Sequence, residues 1–213
     1  MIELFNNIVL GLLILVPLVN PVSTVALFII LSSNMTKQAK DRQALLASIY
    51  VFFIIVLSFY FGQFIMRTFG ISIPGLRIAG GLIVAYIGFR MLFIAKKVHD
   101  GQNEESENIA FVPIAMPTTA GPGTIAMVIS AASTVSSGQI DTPDWIIHVS
   151  SIVVPLLLSI ILWLSLRSAD SIMKLIGENG VDAISKIMGF LLVCMGTQFI
   201  INGVKEIIIN FPN

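Results

Sequence analysis

The chain has 213 residues, 56% of them hydrophobic and 11% charged, and its twelve basic side chains balance its twelve acidic ones. A mean hydropathy of +0.94 excludes an ordinary soluble domain and fits a protein whose solvent is lipid. Zero net charge removes the electrostatic footprint of a nucleic-acid binder, and one cysteine, Cys194, excludes an internal disulfide and reads as a small core residue.

The first apolar run begins at the N-terminus. Glu3 is its only early charge, it has no basic n-region, and it outruns the length of a signal-peptide h-region without an evident cleavage site, so a membrane span is expected. A hydrocarbon core takes roughly 20 helical residues to cross. Six segments reach or approach that length, at about 8–31, 45–66, 76–94, 109–132, 145–166 and 187–209. The expected fold is therefore all-α and polytopic, with six transmembrane helices in a lipid bilayer. Between the third and fourth spans, DGQNEESEN (100–108) is polar, acidic and without apolar periodicity, and reads as a cytoplasmic linker between residues 1–99 and 109–213.

The basic residues orient these spans. Lys37, Lys40, Arg42, Arg90, Lys96, Lys97, Arg167, Lys174 and Lys186 fall on one side and Arg67, Arg77 and Lys205 on the other, nine against three. The positive-inside rule then places the first group in the cytoplasm and both termini outside. Trp145, at the outer start of the fifth span, suits an interfacial anchor.

The two halves repeat. Asn20-Pro21 in the first span matches Gly121-Pro122 in the fourth, and GLIVAYIG (81–88) matches GFLLVCMG (189–196), with glycines seven apart in each. Glycines at that spacing share a helix face and let neighbouring backbones approach closely. Three spans per half is an odd number, so the second copy is expected to be inverted. Inverted repeats with broken helices at matching positions are common among secondary transporters.

The breaks carry the functional expectation. Proline removes a helical donor and clashes with the preceding turn, and the residue before it is pushed out of helical geometry. The first span should therefore break at Asn20 and restart with Pro21 at its first position, Asn20 serving as N-cap. Gly121-Pro122 repeats this with a weaker cap. Each break lies about twelve residues into its span, near the bilayer midplane. Two half-helix N-termini would then face one central region. Amides at Val22, Ser23, Gly123 and Thr124 can hold an anionic group, and hydroxyls of Ser23, Thr24, Thr118, Thr119 and Thr124 add donors and acceptors. Asn20, Pro21, Ser23, Thr24, Thr118, Thr119, Gly121, Pro122, Gly123 and Thr124 are the expected substrate-binding residues. A pair of proline kinks serving only packing is the alternative.

No Asp, Glu, Lys or Arg lies deep in any expected span; Arg77 and Arg90 sit toward opposite ends of the third and can snorkel. No H-E-x-x-H, G-x-S-x-G or P-loop motif is present, so neither an enzyme nor a bound metal or cofactor is expected.

The stretches LVNPVSTVALF (18–28), FGISIPGLRIAGGLIVAYIGFRMLF (69–93), NIAFVPIAMPTTAGPGTIAMVISAAST (108–134) and MGFLLVCMGTQFIINGV (188–204) make the chain resemble the MarC family of bacterial inner-membrane proteins along nearly its whole length. Many relatives carry a Gly and a second Pro after the Asn-Pro, where this chain has Ser23 and Ala26. The family includes members assigned as transporters of small neutral amino acids. The resemblance thus implies an inner-membrane secondary carrier with a small neutral amino acid or similar polar solute as its substrate. A coupling ion, if one is used, would find backbone carbonyls and hydroxyls rather than a buried carboxylate. Other classes are a passive channel for small uncharged solutes, whose half-helices would resemble those of water channels, a drug or metabolite efflux protein, and a structural or regulatory membrane protein that transports nothing.

Overall fold

The computed structural model describes residues 2–93, 109–136 and 142–209, and the expected linker 100–108 lies outside them. Among the described residues no strand occurs. The helices are α1 (Ile2–Val19), α2 (Pro21–Leu31), α3 (Lys37–Thr68), α4 (Ile73–Phe93), a wide-turned π-type segment (Ala110–Thr119), α5 (Pro122–Ser136), α6 (Asp144–Arg167) and α7 (Ala169–Ile209). Among them, five stretches are long and apolar enough to cross a membrane: Ile2–Leu31, Lys37–Thr68, Ile73–Phe93, Asp144–Arg167 and Asn179–Ile209. The region expected to form the fourth span is divided between the π-type segment and the fifteen-residue helix α5.

The packing suits lipid as solvent. The buried face of α3 is built from small or medium residues such as Ala44, Ala47, Ser48, Val51 and Gly62, while Phe53, Leu57, Phe61 and Phe64 point outward. In α4 the buried positions are Gly80, Gly81, Val84 and Gly88, and Leu82, Tyr86, Phe89 and Phe93 are exposed. Lipid tails solvate large apolar side chains, so close backbone approach drives helix association instead. Gly81 and Gly88 of α4 meet Gly196 and Gly189 of α7 in antiparallel register. A methyl built on Gly196 would stand 2.5 Å from the Gly81 carbonyl oxygen and 2.6 Å from the Ala85 amide nitrogen. The main core lies elsewhere, where Val19, Val25, Val51, Ile114 and Leu158 join α1, α2, α3, the π-type segment and α6.

Three expectations are modified here. Cys194, read as a core residue, is exposed on α7. The stretch expected as a loop between the fifth and sixth spans is largely helical: α7 starts at Ala169, one residue beyond α6, and bends at Gly177, whose φ of +69° suits glycine. The breaks are also not centred in their helices. Eighteen helical residues precede Asn20 and eleven follow it, while ten precede the second break and fifteen follow. At about 1.5 Å per residue, both breaks lie nearer the end of the bundle that holds Leu31 and Ala110.

Candidate functional site

The chain breaks where a residue precedes proline. Asn20 takes the left-handed conformation (φ 42°, ψ 65°), and Pro21 begins α2. Asparagine tolerates that geometry better than most residues because its short amide side chain bonds locally. Its Oδ1 accepts from the Ser23 amide at 3.3 Å and its Nδ2 donates to Ser23 Oγ at 2.9 Å. The Thr24 amide donates to the Asn20 carbonyl at 3.2 Å. The amide of Ser23, expected to be free for a ligand, is thus occupied by the cap.

The second break is longer than expected. Val112 and Met116, each preceding a proline, have extended backbone angles, near (−122°, 125°) and (−135°, 128°). The bonds widen to five-residue spacing, with the Ile114 amide on the Ile109 carbonyl at 3.3 Å and the Ala120 amide on the Ala115 carbonyl at 2.8 Å. Such wide turns recur at functional sites. Gln43 of α3 secures the start of the segment, its Oε1 accepting from the Ala110 amide at 2.9 Å. Gly121 has no side chain with which to cap α5; its carbonyl accepts from the Ile125 amide at 3.0 Å.

The two breaks meet. Thr24 Oγ1 and Thr119 Oγ1 lie 3.5 Å apart, both fully buried. Thr24 donates to the Asn20 carbonyl at 3.1 Å, Thr119 to the Ile114 carbonyl at 2.7 Å and Thr124 to the Thr119 carbonyl at 3.3 Å. A hydroxyl has a single proton. With those protons given to main-chain carbonyls, the Thr24 and Thr119 oxygens offer a neighbour acceptor lone pairs.

Of the expected residues, Asn20, Ser23, Thr24, Thr119 and Thr124 therefore share one layer. Pro21 is half-buried and Pro122 exposed at their helix starts. Gly121 is buried, and Gly123 is pressed against Val84, whose Cγ2 would be 2.6 Å from an added Cβ. The side chain of Thr118 lies outside the described residues. Two further members were not foreseen. Ser185 of α7 sits 2.7 Å from Ser23 Oγ, and Met91 Sδ of α4 is 3.6 Å from Asn20 Nδ2. Met91 lies within the expected third span and Ser185 two residues before the expected sixth, and neither carried a signal of its own.

A cavity of about 510 Å³ lies on the other side of the layer, between α1, α3, α5 and α6, toward the end that holds the N-terminus. Its buried lining residues include Leu15 and Val128. Val128 is one turn, about 6 Å of helix, beyond Thr124. A neighbouring cavity of about 500 Å³ is bordered by Tyr60, Asp144 and His148. Tyr60 Oη lies 2.8 Å from Ser151 Oγ and 3.3 Å from His148 Nδ1. Neither cavity is lined by Asn20, Ser23, Thr24, Thr119 or Thr124. Among the described residues no cluster of His, Cys, Asp and Glu is arranged to hold a metal.

No solved structure matches this chain. Its sequence is 59% identical to inner membrane protein MarC of Citrobacter koseri, 57% to that of Salmonella typhimurium and 56% to that of Escherichia coli O1:K1 / APEC, with 98% of each chain covered in all three comparisons. The description MarC family integral membrane protein matches residues 5–208. Together with the long apolar helices, these matches make the chain a multi-pass inner-membrane protein that belongs to the MarC family.

Proposed function

We propose that this protein is a secondary transporter of small neutral amino acids or similarly small polar solutes, which it binds where its two broken helices meet. The observation that carries the reading is the buried contact of Thr24 with Thr119, which joins the breaks at one depth. Its two oxygens suit a ligand's ammonium. The start of α5, preceded by a glycine with no side chain to cap it, suits its carboxylate through the amides of Gly123 and Thr124. The opposing helix start is already satisfied by Asn20, so the two ends of the layer differ in character, as the two ends of a zwitterion do. No metal, cofactor or chemical step enters this reading.

The proposal includes six spans in two inverted three-helix repeats with both termini outside. The glycine register supports the repeat. A two-fold relation that carries Gly81 to Gly189 and Gly88 to Gly196 turns the contact of Gly81 with Gly196 into that of Gly189 with Gly88, and both contacts occur. The 510 Å³ cavity supports a route to the layer from the side of the N-terminus.

The test is uptake and counterflow of radiolabelled alanine, serine and glycine in liposomes. Saturable uptake with counterflow is expected. Uptake without counterflow would favour a channel, and neither would favour a scaffold. The variants Asn20→Ala and Thr124→Val should lower uptake more than they lower thermal stability in detergent; unchanged uptake in both would leave the breaks as packing kinks.

A further inference from the structure

Arg77 was expected to snorkel from its span toward water. It turns inward instead. Its side chain is 14% exposed. Its Nε donates to Ser130 Oγ at 2.6 Å and its Nη2 to Thr134 Oγ1 at 2.7 Å, both on α5, while its Nη1 is paired with Glu206 of α7. An ionised side chain held within a membrane bundle is expensive and marks a functional position unless packing alone explains it. Arg77 also lines the 510 Å³ cavity, whose other polar groups include Asn7, Ser151 and Asn202. A guanidinium carries five N–H groups. Among the described residues Ser130, Thr134 and Glu206 engage three of them, and the other two have donor capacity to offer a ligand.

We infer that Arg77 is the anchor of a second binding site, an outer vestibule that captures the carboxylate of a small zwitterionic solute before it reaches the broken helices. This rests on the carrier reading. Several observations carry it. The cavity has the volume of a small-molecule site, within about 300–1,000 Å³. Its wall is largely apolar, with Leu10, Ile14 and Val154, so it accepts an aliphatic side chain and makes the guanidinium's charge felt. The guanidinium fork matches a carboxylate better than an ammonium point charge would. Arg77 and Glu206 together are neutral, so a zwitterion adds no net charge to a buried site, whereas a bare anion does. The lining residue Val128 lies one helical turn from Thr124, so a captured solute is close to the broken helices.

The primary experiment uses the intact wild-type chain in nanodiscs. Arginines are modified with butanedione, and peptide mass spectrometry follows Arg77 against exposed Arg42 and Arg67. L-alanine should slow modification of Arg77 selectively, while L-alaninamide, which lacks the carboxylate, and inorganic phosphate, which stands for a lipid headgroup, should not. Equal protection by alaninamide, protection by phosphate alone, or no protection overturns the site. A second measurement titrates L-alanine onto the double variant Arg77→Gln/Glu206→Gln, which removes both charges and leaves neither unpaired. Losing a charge-assisted hydrogen bond should weaken binding about tenfold or more. Unchanged affinity there overturns the proposal. The two readings fail separately. If Asn20→Ala abolishes uptake while alanine neither protects Arg77 nor senses the double variant, the vestibule is wrong and the carrier stands. If alanine protects Arg77 but liposomes show no uptake, the site stands and the carrier is wrong.

Discussion

Asn20 does two jobs that different substitutions separate. It supplies the N-cap of α2 through Oδ1 on the Ser23 amide, and it is the only non-glycine residue with positive φ among the described residues. Asn20→Ala removes the cap, worth about 1 kcal/mol, and places a Cβ with no local hydrogen bond in the left-handed region, at about 1–2 kcal/mol. Asn20→Gly retains the backbone freedom and replaces a good cap by a nearly equivalent one. Thermal unfolding in detergent should therefore rank Asn20→Gly close to the parent and Asn20→Ala about 2 kcal/mol below it. Equal losses in the two variants would mean that the left-handed geometry contributes nothing. Thr119→Val tests the neighbouring hydroxyl. It leaves the Ile114 carbonyl without its 2.7 Å donor in a fully buried place, an expected loss of about 1–3 kcal/mol. Thr119→Ser keeps the donor and should recover most of it in the same unfolding measurement.

At the scale of the element, the α4–α7 pair is held by backbone approach that a single methyl group disrupts. In Gly196→Ala the new Cβ meets backbone atoms of Gly81 and Ala85, which cannot rotate away as a side chain can. Overpacking of this kind costs about 1–3 kcal/mol. In Gly75→Ala, near the start of the same α4, the new Cβ meets only Ser72 Oγ, at 3.0 Å. Thermal unfolding should show a marked loss for Gly196→Ala and little change for Gly75→Ala, and the reverse order would refute the register. The close-packing face was legible in the sequence because glycines seven apart fix a face, whereas its partner was not and comes from the packing of α4 on α7. The break at Asn20 was legible for a similar reason: the residue before proline and the asparagine cap are local rules. The same rule written at Val112 and Met116 foretells the wide turns of Ala110–Thr119, yet the expectation placed the break only at Gly121. Ser185 and Met91 were not legible, because nothing local brings them to Asn20 and Ser23; the α4–α7 packing does. Arg77 stood between. Its sequence neighbourhood suggested snorkelling, and its true partners follow only when antiparallel packing of α4 and α7 brings it to the same end as Glu206.

For the whole molecule, the charge distribution predicts orientation. By the positive-inside rule, the nine-to-three division of basic residues predicts that Asn213 lies outside the cytoplasm. A fluorescent protein that matures only in the cytoplasm should stay dark when fused there, and a phosphatase active only outside should be active; the opposite pair would invert the orientation and place the cavity on the cytoplasmic side. The same whole-molecule view constrains the driving ion of the proposed carrier. A proton needs a titratable group beside the path. The layer where the breaks meet consists of hydroxyls, an amide, a thioether and carbonyls. No acid occurs between Glu3 and Asp41 or between Glu107 and Asp141, the stretches that contain both broken helices. Sodium needs only oxygen ligands, and the ends of α1 and the π-type segment carry the partial negative charge that favours a cation. Thr24 and Thr119 add two oxygens with lone pairs free to coordinate. Uptake into liposomes should therefore respond to an imposed sodium gradient or to neither gradient, and an imposed proton gradient alone should not drive accumulation. Strong accumulation on a proton gradient without sodium would defeat this argument. The path would then have to include a titratable group outside the layer. Glu206 beside Arg77 at the first cavity, and Asp144 and His148 at the second, are the groups to test, so Glu206→Gln, Asp144→Asn and His148→Gln would be the variants that locate it.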